Sequence, residues 1–137
     1  MYKTHTMKLA SIAVAVLWAA GCATTSGNLA DAASRLDRSA DALYSEVRRD
    51  NRDQGLEHDA RALAEVAQDF HRDVKERATR EELQVRFERI ASSYHALRDE
   101  FGDARTTDSR ERSSFGEVTR AYVDLERELQ YRRVSAR

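Results

Sequence analysis

From Leu29 onward, apolar side chains return at alternating steps of four and three residues, the spacing that keeps one stripe of a helix facing a packed neighbour. The first stripe is Leu29, Ala33, Leu36, Ala40, Leu43 and Val47. The second is Leu56, Ala60, Leu63, Ala67, Phe70 and Val74, and the third is Leu83, Phe87, Ile90, Tyr94, Leu97 and Phe101. A fourth, Phe115, Val118, Tyr122, Leu125 and Leu129, keeps the spacing after a longer connection. The first three begin at equal intervals but share few side-chain identities, so the pattern repeats a packing seam and not a sequence unit, which favours a closed bundle over a solenoid. The spacing predicts helices over 28–50, 56–77, 80–101 and 114–133. Their short links predict an all-α, antiparallel, up-down-up-down four-helix bundle.

Residue types at the breaks agree with these bounds. Asn28 is placed to cap the first helix, Thr79 with Glu82 reads as a capping box, and Ser114 with Glu117 offers another. Gly55 and Gly102 stand where a chain can leave a helix through a left-handed residue. Arg48, Arg49, Arg132 and Arg133 set positive charge against the negative ends of helix dipoles. The first two stripes carry alanines and the last two carry aromatic rings, which predicts that large side chains from one pair of helices interlock with small ones from the other.

Composition sharpens the picture. Among 137 residues there is no proline and there are five glycines, while 34% are charged, a balance suited to helices with solvated faces. The formal net charge is -1, without the basic excess that binding to a phosphate backbone leaves, so no nucleic-acid partner is expected. One cysteine cannot form an internal disulfide, and Cys22 calls for another role.

That role is suggested by what precedes it. Leu9 to Ala20 form an uncharged, mostly apolar run behind Lys3 and Lys8, too short to span a bilayer, for which about 20 residues are needed. With small residues closing it, the segment has the form of a secretory signal, starting at Met1 or Met7. The residues Ala19-Ala20-Gly21-Cys22 resemble the lipobox of bacterial lipoproteins, with Ala19 where leucine is usual. The resemblance implies cleavage before Cys22 and a covalent lipid, of the palmitate kind, on its sulfur. Two or more acyl chains turn marginal membrane binding into stable anchoring. Ala23, rather than aspartate, after the cysteine implies sorting to the outer membrane, facing the periplasm. The expected organisation is thus a leader over 1–21, a lipidated cysteine and tether over 22–27, and a helical domain over 28–137. The tether reaches at most about 18 Å, which would hold the body near the leaflet. In the predicted topology Tyr131, Arg132, Arg133 and Arg137 lie at the anchored end, where they are expected to meet anionic head groups.

Candidate chemistry is sparse. A bundle that holds a cofactor projects polar groups inward, yet every stripe position named above is apolar or aromatic. His58, His71 and His95 fall off the stripes and read as surface residues. Asp69, His71 and Asp73 supply materials for a weak, exposed metal site, without a specific ligand spacing. No Gly-x-Ser-x-Gly turn and no c-type haem motif occur. The sequence therefore predicts no enzyme, no metal and no cofactor beyond the lipid on Cys22. The expected role is a monomeric envelope lipoprotein acting as a structural or protein-interaction module. The alternative is a periplasmic metal-binding or stress-sensing helical protein. The chain end Ser135-Ala136-Arg137 lacks the terminal lysine by which the murein lipoprotein joins the cell wall.

Overall fold

The structure, a computed structural model, describes residues 20–50, 52–103 and 108–135, with side chains described over 28–50, 52–103 and 108–131. Four helices account for it: α1 (Ala20–Asp50), α2 (Gln54–Lys75), α3 (Arg80–Asp103) and α4 (Ser109–Ser135). The stripes drive this arrangement. Every stripe position is buried in one continuous core or packed against it, with Val74, Phe101, Phe115 and Leu129 at its partly open ends. Ala32 and Ala121 join the core from beside the stripes.

Cross-helix pairs fix the direction of packing. Arg61 meets Tyr44 and His71 meets Asp37 between α1 and α2, so rising numbers on one helix face falling numbers on the other, and Ala40 comes level with Ala67. Asp73 with Arg86, and Arg35 with Asp124, link α2 to α3 and α1 to α4. The bundle is antiparallel and runs up, down, up and down.

The distribution of volume meets the expectation where α1 packs on α4 and α2 on α3, and adds a feature to it. Backbones approach closely between α1 and α4, α1 and α2, and α2 and α3, where alanines admit them. Across the remaining seam, the aromatic rings of α3 and α4 stack on each other. Phe87, Tyr122, Tyr94, Phe115 and Phe101 form a column in which successive centroids lie 5.7, 4.1, 6.1 and 4.4 Å apart and planes tilt by 10–14°. The Tyr94 hydroxyl donates to Thr119 Oγ1 at 3.2 Å, so this buried polar tip has a partner. Rings need more room than methyl groups, and they hold α3 and α4 farther apart than the other neighbours.

Helix ends follow local chemistry, in part at other residues than expected. The capping box at Thr79 and Glu82 is present: Thr79 N–H donates to Glu82 Oε2 at 2.7 Å and Glu82 N–H to Thr79 Oγ1 at 3.3 Å. Asn28 is not a cap, because α1 continues back through Gly27 to Ala20, and the expected tether over 22–27 is helical. No proline interrupts that stretch. α4 likewise begins earlier. Its box is Asp108 with Glu111, where Glu111 N–H donates to Asp108 Oδ1 at 2.8 Å and Asp108 N–H to Glu111 Oε2 at 3.3 Å, which leaves Ser114 and Glu117 inside the helix. Asp53 caps α2, accepting from Gly55 N–H at 2.9 Å and Leu56 N–H at 3.1 Å.

Neither Gly55 nor Gly102 is left-handed; both lie within helices. Gly55 matters for space, since a β-carbon there would meet Glu100 Oε1 at 2.6 Å. The left-handed residue is Arg77, with φ of 58°. It ends α2 in a Schellman turn: Arg77 N–H donates to Val74 O at 3.3 Å and Ala78 N–H to Asp73 O at 3.0 Å.

Two outcomes follow from this packing. Ala67→Leu, which forces added volume between close backbones, is expected to destabilise the fold by about 1–3 kcal/mol in denaturant unfolding. Arg77→Gly removes the left-handed strain of a side chain and is expected to raise the unfolding midpoint, by about 1 kcal/mol in stability, with the denaturant slope unchanged.

Candidate functional site

The residues predicted to matter fall in three places. The first is the end of the bundle where α1 begins, α2 turns into α3 and α4 finishes. Ala20, Gly21 and Cys22 form the first turn of α1, whereas Ala19 lies outside the described residues. Tyr131 is 66% exposed near the close of α4. The backbones of Arg132 and Arg133 continue that helix; their side chains, and Arg137 altogether, lie outside the description. The antiparallel topology thus puts Cys22 and Tyr131 at one end.

The second place is the middle of α2. Asp69, His71 and Asp73 do not converge. Two residues advance a helix by about 200°, so His71 points away from both neighbours. It reaches across to α1, where Nδ1 lies 2.8 Å from Asp37 Oδ2, with the two side chains only 16% and 24% exposed. His71 is therefore an interhelical strut and not the surface residue that the pattern predicted. Asp69 pairs with Arg72 at 2.7 Å on its own helix. Asp73 Oδ2 lies 3.0 Å from Arg86 Nε on α3, an ionic contact without hydrogen-bond alignment, because that buried oxygen has no hydrogen-bond partner. Among the described residues no three His, Cys, Asp or Glu side chains gather as a metal site. His58 is exposed, as expected, and exposed His95 lays its ring beside Tyr94 and Tyr122, 5.5 and 6.2 Å between centroids.

The third place was not legible as a site in the sequence. A hollow of about 550 Å³ runs between α1 and α4, bordered by Arg35, Arg38 and Arg120, with Ser39, Ser114, Ala42 and Ala121. Arg35 Nη1 approaches Asp124 at 3.5 Å and Arg120 Nη2 binds Glu117 at 2.5 Å, both as solvated pairs that add little stability. Arg38 Nε donates to the Ser34 carbonyl at 3.3 Å. The groove is open and its lining is more apolar than polar, with Arg35, Arg38 and Arg120 set beside Glu117 and Asp124, a form suited to surface contact. A second hollow, about 430 Å³ between α1 and α2, brings Asp37, Asp41 and Glu65 beside Arg61, whose guanidinium sits 5.6 Å from the Tyr44 ring centre.

Electrostatics separate the acids into two kinds. Backbone and side-chain hydrogen bonds from Thr79 hold the Glu82 carboxyl below its ordinary value. Glu100 moves the other way, through desolvation and then the charges of Asp53, Asp59 and Asp103. Glu111 is the buried charged residue that the stripe analysis missed, at 4% exposure. It stands four residues before Phe115, so the signal was an acid at the next upstream step of the fourth stripe. In the core, desolvation raises the Tyr122 hydroxyl pKa, and the ring stays neutral.

No known protein-family model, curated protein or solved structure matches this chain.

Because its folded pKa is lowered from 4.5, Glu82 contributes stability that is fully present above about pH 4.5 and lost as pH falls through the lowered value. Glu82→Gln should therefore unfold more easily than the parent at neutral pH, and thermal melts of the two should converge in acid.

Proposed function

We propose that this chain is a lipid-anchored bacterial envelope protein, non-catalytic, whose four-helix body serves as a structural or protein-interaction module. The observation that carries the reading is the sole cysteine, Cys22, standing directly behind Ala19-Ala20-Gly21 and an apolar run that is too short to span a bilayer. Among the described residues no helix is long and apolar enough to cross a membrane, so attachment in this reading rests on acyl chains at Cys22. Ala23 after the cysteine favours the outer membrane, on its periplasmic side. Because α1 runs on from Ala20 without a break, the anchor would continue into the bundle itself and not into a loose tether. Tyr131, Arg132, Arg133 and Arg137 belong to the end nearest the lipid, where the tyrosine suits the interface and the arginines suit anionic head groups.

For the body, an apolar core with polar functionality on its exterior supports binding through surfaces. The arginine-edged groove between α1 and α4 is the place we assign to an envelope protein partner that offers carboxylates. The metal-binding alternative draws no support from α2, where Asp69, His71 and Asp73 each turn to a different partner.

The anchor is tested by expressing the parent and Cys22→Ser in a bacterial host fed a labelled fatty acid, then separating membranes. The parent is expected to carry label and to sediment with the outer membrane, and the variant to lose both. Equal retention of the two proteins on the membrane, or a mature parent without acyl groups, would overturn the proposal.

A further inference from the structure

The apolar stripes of α1 and α4 end in acids. One step beyond Val47 the α1 stripe reaches Asp50, and one step before Phe115 the α4 stripe reaches Glu111. Since the two helices run antiparallel, as the pair between Arg35 and Asp124 shows, these positions belong to the same layer. That register sets the two carboxyls side by side at the end of the bundle opposite Cys22, and the Asp50 charge bears on Glu111.

Their surroundings are not those of a solvated charge pair. Glu111 is 4% exposed, and its Oε2 is engaged by the Asp108 backbone N–H. Asp50 Oδ1 is held by Arg52 Nε at 2.9 Å, but Asp50 Oδ2 is buried and has no hydrogen-bond partner. Two ionised carboxylates can only accept, so a doubly charged pair in this layer leaves Asp50 Oδ2 without a donor, at a cost of several kinds: desolvation, repulsion and a missing bond. A proton on Glu111 resolves all three, because the acid can donate to Asp50 Oδ2 while its other oxygen still accepts from Asp108. The proton is placed on Glu111, the more deeply buried of the two, while Arg52 holds Asp50 Oδ1. The other charge that bears on Glu111 does not replace that proton. Asp108 adds a second negative charge, held ionised by backbone N–H groups of its own helix, and Arg110 and Arg52 act on Asp108. Glu100 of α3 keeps a separate company in Asp53, Asp59 and Asp103.

We propose that Glu111 and Asp50 form a proton-operated joint that fastens the start of α4 to the end of α1 in acid and loosens as the proton leaves. Desolvation first, with Asp108 and Asp50 adding to it, raises the Glu111 pKa from 4.5, so the direction of the device is set. A raised folded value means that the joint is complete below about pH 4.5 and that its contribution is lost as pH rises through the folded value. This inference stands apart from the anchor at Cys22 and would hold for the body alone or tethered.

The test compares the whole parent chain, in nonionic detergent, with Glu111→Gln. The glutamine amide donates permanently to Asp50 Oδ2 while its carbonyl accepts from Asp108, so the variant should melt at a higher temperature than the parent at pH 7.5. That gap should close by pH 4, where the parent carries its own proton. Amide exchange over residues 108–118 should be slower in the variant at pH 7.5. A gap that does not change with pH would overturn the proposal. Should the variant fold poorly, carbon NMR of the Glu111 carboxyl decides: the parent is expected to titrate above 4.5, and Asp50→Asn, which supplies a donor, should shift that midpoint downward. A parent midpoint at or below 4.5, or no shift in Asp50→Asn, would overturn it equally.

Discussion

The close approach of α1 to both of its neighbours is the constraint on which the rest of the molecule depends. Alanines at 33, 40, 60 and 67 leave room for backbones to come together, and the leucines between them fill the layers at each level. Once α1, α2 and α4 are set by those contacts, and α3 by its contact with α2, the gap between α3 and α4 is determined by closure. It is filled by the five rings of the aromatic column. Small residues thus set the dimensions of three seams, and large residues fill the fourth.

The same geometry governs where charge is tolerated. Asp37 with His71, and Asp73 with Arg86, stand at the flanks of the core, where one polar partner can be reached across a seam. Asp50 and Glu111 stand at its end, inside the line of the seam itself, where the neighbour across the layer is another acid. The two capping glutamates show how position alone sets the sign of an acid's contribution. Glu82 and Glu111 each hold the third position of a capping box, yet one is exposed and favoured when ionised, while the other is buried and opposed. The first lends stability above the acid range and the second below neutrality.

For function, the molecule divides by length. One end gathers the start of α1, with Cys22, and the close of α4, with Tyr131; the far end carries the Asp50 and Glu111 layer; the arginine-edged groove lies along the side between α1 and α4. Under the proposed anchoring, a body of this kind would separate attachment from recognition, because a surface along the helices remains accessible whichever end is held. Within the core the buried tyrosines are engaged with each other, and Tyr94 with Thr119.

Residue spacing was enough to reveal four helices, the inward face of each and the capping box at Thr79, because these depend on neighbours within a turn or two along the chain. It also marked Cys22 as a residue in need of a role, since an apolar run and the sole cysteine are adjacent in sequence. Tertiary structure decided which stripe met which, so the rings of α3 stacked on those of α4. It moved the start of α4 to Ser109, turned His71 into a strut and brought Asp50 to Glu111. The physical reason is that periodicity states which side of a helix is buried, while the partner across a seam depends on antiparallel register between residues far apart in the chain. Glu111 shows the boundary: its place on the stripe could be counted, but its burial came only from what lay opposite.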